Sequence, residues 1–133
     1  MLKCINEIKQ ILSGQTVNIS EYESAYINTF FNSSLGLFTD SPHTEHTSLH
    51  GNILPLLFNI GINENVKNNI VTLAENKGIT KCGTYFSFFV LQALKNSGEK
   101  ELVLKLMRDK GAWLNMLSEG ATTTFEAWGK AQK

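Results

Sequence analysis

Apolar residues recur along this chain every three to four positions, and nearly every such run stops at a glycine. Leu2, Ile5, Ile8, Ile11 and Leu12 share one helical face ahead of Gly14. Val66, Ile70, Leu73 and Ala74 share another ahead of Gly78, and Tyr85, Phe88, Phe89, Leu91 and Leu94 make a nearly all-round apolar run ahead of Gly98. The spacing matches the turn of an α-helix, and a glycine just past the last turn accepts the left-handed conformation that ends one. No stretch sustains the alternation of a half-buried strand, so the expected class is all-α: six to eight helices, joined by short loops in up-and-down order.

The first helix is expected over about Leu2–Ser13. Ser20 and Glu23 have capping-box spacing ahead of an aromatic stripe, Tyr22, Tyr26, Phe30 and Phe31, that breaks at Gly36. Leu37 to His46 contains Asp40, Ser41 and Pro42 and reads as a loop. The pattern is helical again from Thr47 to Ile60, where Pro55 is expected to kink the helix or to mark an irregular start. Glu99 to Lys110 places Leu102, Val103, Leu106 and Met107 on one face. Trp113, Leu114 and Leu117 follow in a shorter segment before Gly120, and a last short helical turn is expected near Thr123. One domain over 1–133, built from antiparallel helical hairpins, is the expected organisation. The near-regular march of helix pairs fits a solenoid or a toroid, which periodicity alone does not separate.

Twelve Lys and Arg balance twelve Asp and Glu, so the chain carries no field that would draw it to nucleic acid or to an anionic membrane. No apolar run approaches the roughly 20 residues of a membrane span, and Met1 to Leu12 lacks the continuous apolar core of a signal peptide. Cys4 and Cys82 read as packed, reduced thiols, and the expected location is cytoplasmic. The chain has no Gly-rich phosphate loop, no GxSxG elbow and no Cys beside a plausible His, so no cofactor is implied.

Three segments, taken in order, carry a family likeness: GLFTDSPHTEHTSLHGNILPLLFNIG, KGITKCGTYFSFFVLQALKNSG and EGATTTFEAW. Within them Ser48, Leu49, His50, Gly51 and Asn52 open a helix, Gly78 and Ile79 precede the Tyr85–Phe86 helix, and Gly120 leads to Trp128. In this order and spacing the chain resembles the C-terminal part of the catalytic domain of bacterial α-L-rhamnosidases, whose (α/α)6 toroid hydrolyses terminal α-L-rhamnose with inversion. The resemblance implies a partial toroid, a rhamnoside as carbohydrate partner, and Glu126 as the general base. By their places two residues past Glu126, at the mouth of the expected toroid and at a helix entrance, Trp128, His50 and Tyr85 are the candidates for sugar binding. An inverting glycosidase needs one carboxylic acid at the leaving oxygen and one carboxylate behind a water, about 6.5–9.5 Å apart. The family's general acid lies in an upstream acidic stretch without a counterpart here, and a sugar-binding His would fall beyond Lys133. The chain is therefore expected to be a fragment incomplete for catalysis by itself, and to self-associate or be marginally stable.

Each candidate also has an ordinary role. Thr123 and Glu126 have capping spacing. Trp113, Trp128 and the run from Tyr85 to Phe89 could simply be core. His43, His46 and His50 cluster near Asp40 and Glu45, and on a helix His46 and His50 would lie one turn apart, but HExxH is absent and no metal is assigned. Two rival functions stand beside the rhamnosidase: another α/α-toroid glycosidase acting on a different hexose or a uronic acid, and a non-catalytic helical-repeat interaction module.

Overall fold

Helix-forming periodicity becomes seven α-helices among the described residues, 1–129, of the computed structural model. They are α1 (Leu2–Ser13), α2 (Ser20–Phe30), α3 (Leu49–Phe58), α4 (Glu64–Lys77), α5 (Thr84–Asn96), α6 (Lys100–Met107) and α7 (Trp113–Ser118). A 3-10 turn at Ile79–Lys81 joins α4 to α5. Between α2 and α3 lies a feature the sequence did not announce, a two-residue antiparallel ladder of β1 (Phe31–Asn32) and β2 (Leu37–Phe38), with Phe31 opposite Phe38. Two residues are too few to display alternation. What forms the hairpin is its turn: the Asn32 side chain accepts from the amides of Ser34 and Leu35, and Gly36 closes it at φ 62°.

The core is organised around α3 and α5. Ile53 of α3 and Val90 and Leu94 of α5 are fully buried, with Ile70 of α4 and Leu106 of α6 packed into the same cluster. Burying each such aliphatic side chain is worth roughly 1.5–3 kcal/mol against leaving it in water. The chain thus forms successive hairpins, α3 with α4 and α5 with α6, whose first members pack on each other. On the outside, Lys105 of α6 reaches Glu75 of α4 at 2.7 Å.

Pro55 sits inside α3 and is buried without ending it. Its ring removes the donor that would have satisfied the carbonyl four residues earlier, at Gly51. The Tyr26 hydroxyl donates to that carbonyl instead, at 3.4 Å. Tyr26 is the centre of the aromatic stripe, with its ring 5.1 Å from Phe30 and 5.4 Å from Phe38.

Two local expectations change. Ser20 is the first residue of α2 and not its cap: Ile19 occupies the cap position, and the Asn18 side chain accepts the Ser20 amide, so no capping box forms with Glu23. Glu23 pairs with Lys3 of α1 instead. Cys4 is exposed; polar contacts hold α1 through that ion pair and through Asn6, which bonds both polar groups of Val17. No residue of α1 is buried, and its apolar residues Ile8, Ile11 and Leu12 stay open to solvent. Cys82 is buried as expected. Loss of hydration pushes its thiol up to about 11, so it stays neutral.

Candidate active site

The beginnings of α3 and α5 lie side by side, and the chain after α7 folds back onto the second of them. At α3, Ser48 is the cap, and its hydroxyl accepts the Gly51 amide at 3.1 Å. The same hydroxyl donates to Asp40 at 2.6 Å, and the Ser48 amide donates to the same carboxylate oxygen at 3.1 Å. The other Asp40 oxygen meets His46 Nδ1 at 2.5 Å. Desolvation on its own would raise the Asp40 carboxyl, but the bonds from Ser48 and His46 outweigh it and hold the group below its ordinary value. The Leu37–His46 loop is thereby fixed against the helix it precedes.

His46 lies ahead of the Ser48 cap and outside α3, so His46 and His50 are not stacked one helical turn apart. His43, at φ 63°, occupies the turn between them and β2. Among the described residues, no group of three or more His, Cys, Asp or Glu side chains is placed to hold a metal ion.

His50 belongs to the first turn of α3 and Phe86 to the first turn of α5, and their rings are 4.1 Å apart. Next to Phe86, Tyr85 is 77% exposed, while Ser87 is buried with its hydroxyl donating to the Thr84 carbonyl. Gly83 precedes the helix in extended conformation.

The segment after Gly120 is not helical, so the expected last helical turn near Thr123 does not form, and Thr123 and Glu126 do not cap one. The reason lies in where its polar groups go. The Thr84 hydroxyl donates to the Glu126 carbonyl at 2.8 Å, and the Trp128 indole donates to the Cys82 carbonyl at 2.6 Å. The Asn115 side chain reaches the Trp128 carbonyl at 3.0 Å. Two carbonyls of the segment are thus bonded by side chains from outside it, and the indole fastens it to residue 82. Trp128 is 3% exposed and meets Trp113 edge to face, with ring centroids 4.9 Å apart. A cavity of about 330 Å³ is lined by Trp113, Met116, Leu117 and Ala121 and by Thr122 to Thr124.

Of the four residues singled out from sequence, three border the first turn of α5. Tyr85 is part of it, His50 reaches it through Phe86, and Glu126 reaches it through Thr84. Glu126 itself is exposed. Trp128 instead lies under the loop, in the core. Sequence reasoning named Asp40 and Asn52 without their partners Ser48 and Phe38, and passed over Thr84, which bonds Glu126. Those partners are 8, 14 and 42 positions away, too far for any local spacing to reveal.

Chemically, the arrangement displays an exposed carboxylate on a backbone fastened at Glu126 and at Trp128, and an exposed phenol ring and an imidazole at the beginnings of α5 and α3. A carboxylate so placed can accept a proton or hydrogen-bond hydroxyl groups, and an aromatic face suits the apolar face of a sugar ring.

No curated protein matches the chain. The sequence model for the bacterial alpha-L-rhamnosidase 6 hairpin glycosidase domain matches residues 2–133. A domain of six helical hairpins is a helical toroid, in agreement with the hairpins described above. No helix among the described residues is long and apolar enough to cross a membrane. A glycosidase acts on carbohydrate, and since the match covers nearly the whole chain, the chain belongs to the bacterial α-L-rhamnosidase six-hairpin glycosidase family.

Proposed function

We propose that this chain carries the general-base half of an inverting glycoside hydrolase that releases terminal α-L-rhamnose, with Glu126 as the base. One observation carries the reading: Glu126 is exposed, while its own carbonyl and the indole two residues later are fastened to the entrance of α5. A base must be held still where it meets water, and this loop holds its backbone while leaving the carboxylate accessible.

In the reaction, the Glu126 carboxylate takes a proton from a water whose oxygen forms the new bond to the anomeric carbon. The bond to the leaving group breaks on the opposite face, and the product anomer is inverted. Tyr85 offers an exposed ring against which the sugar can stack, and His50, braced by Phe86, offers a hydrogen bond to a sugar hydroxyl. Trp128 serves this site from beneath, as the anchor of the loop.

A leaving group that departs without a proton isolates the role of the base. α-L-Rhamnosyl fluoride and 2,4-dinitrophenyl α-L-rhamnoside are therefore the substrates of choice, beside the same derivatives of glucose, mannose and glucuronic acid. The proposal expects the rhamnosides to be hydrolysed, with β-L-rhamnose as the first anomer seen by proton NMR. No hydrolysis above buffer, preference for another sugar, or α-L-rhamnose as the first product would each count against it.

A further inference from the structure

At the entrance of α5, the Thr84 side chain bonds the segment bearing Glu126. The bond is made to the main-chain carbonyl of Glu126 and not to its carboxylate, so it fixes where the residue starts without occupying the group that would do the chemistry. Thr84 is itself set by the helix: it is the first residue of α5, and the Ser87 hydroxyl donates to its carbonyl. Two residues before it, the Cys82 carbonyl takes the indole of Trp128, two residues after Glu126. The two bonds run in opposite senses between residues 82–84 and 126–128, in the manner of a ladder. The Trp128 indole is enclosed by the core, which holds that side of the loop by packing as well as by a bond. The Glu126 side has the hydroxyl of Thr84 in its place.

We propose that Thr84 is a positioning residue for Glu126. Its hydroxyl holds the main chain of Glu126 so that the carboxylate faces the attacking water. This rests on the reading of Glu126 as the general base. Loss of the hydroxyl leaves the helix and the Trp128 anchor in place, and lets the carboxylate drift from the water it must deprotonate. Small displacements of a reacting group are costly in rate although cheap in stability.

The test compares Thr84→Val, which keeps the shape and loses the donor, with Thr84→Ser, which keeps the donor, on 2,4-dinitrophenyl α-L-rhamnoside. The expected result is a kcat lowered about ten-fold in Thr84→Val with KM changed by less than about two-fold, and a kcat restored to within about two-fold in Thr84→Ser. The control removes the base: in Glu126→Ala, azide replaces water as nucleophile and forms the inverted rhamnosyl azide. In that background Thr84→Val is expected to leave the azide-dependent rate within about two-fold, because nothing remains to be positioned. An equal loss in both backgrounds makes Thr84 a merely structural residue and overturns the proposal, as does unchanged turnover in Thr84→Val or failure of Thr84→Ser to recover. If Glu126→Ala stays active without azide, or the parent chain shows no turnover, the base reading falls first and takes this inference with it. If Glu126→Ala is inactive and azide-rescued while Thr84→Val is unaffected, the base reading stands and the Thr84 role alone is lost.

Discussion

Asn52 grips both polar main-chain groups of Phe38. Its side-chain oxygen accepts the Phe38 amide at 2.9 Å, and its side-chain nitrogen donates to the Phe38 carbonyl at 2.8 Å. Both residues are completely buried. The amide thus acts as one rung of a strand that is not there, and it joins β2 to the first turns of α3, where a further bond reaches the Ser48 carbonyl at 2.9 Å. Removing it strands a buried N–H and a buried C=O together, each costing roughly 1–3 kcal/mol. Asn52→Leu is therefore expected to lower stability by about 3 kcal/mol, measured by urea denaturation. A loss under about 1 kcal/mol would show that the Phe38 groups find other partners.

Asp40 predicts a particular dependence on pH. Its folded value lies below the ordinary carboxylate value, so the unfolded chain takes up the proton first as pH falls. The stabilisation from Asp40 is thus fully present above about pH 4 and is lost progressively as pH falls through the lower folded value. Denaturation of the parent and of Asp40→Asn from pH 6 to pH 2 should show an excess stability of the parent at pH 6 that shrinks toward pH 2. A constant difference over that range would mean that the Ser48 and His46 contacts do not depend on the charge.

Trp128→Phe keeps an aromatic ring in the core and removes the indole donor to Cys82. The expected cost is about 1–3 kcal/mol from the lost bond and the orphaned carbonyl. Hydrogen exchange should report it locally, with faster exchange in residues 119–129 and little change in α3 and α4. Uniformly faster exchange would show instead that the indole supports the fold as a whole.

Much of this was legible in the sequence, for reasons visible in particular residues. The spacing of Leu2, Ile5 and Ile8, or of Val66, Ile70 and Ala74, contains its own structural answer, and the helices begin and end close to the expected positions. Gly14 and Gly78 mark helix ends because both sit at positive φ. The likeness at Gly120–Trp128 pointed to the segment that the fold brings to α5. What local patterns could not give was anything set by a distant partner. The capping spacing of Thr123 and Glu126 is real in sequence, yet the Glu126 carbonyl bonds Thr84, 42 positions away, and no helix starts there. Ser20 with Glu23 failed for a local reason, because Ile19 takes the cap position and the Asn18 side chain takes the Ser20 amide, which leaves Glu23 to pair with Lys3. Trp128 looked like a sugar platform by its place beside Glu126, and only the partners Cys82 and Trp113 reveal that it faces inward.

The central claim is that Glu126 is the base, and one substitution tests it most directly. Turnover of 2,4-dinitrophenyl α-L-rhamnoside should fall about a hundred- to ten-thousand-fold in Glu126→Gln, the span that a general base contributes. The thermal melt should stay unchanged, since the bond from Thr84 goes to the Glu126 main chain and survives the substitution. Turnover equal to that of the parent would contradict the account, and so would a loss of activity that merely follows a loss of the folded state.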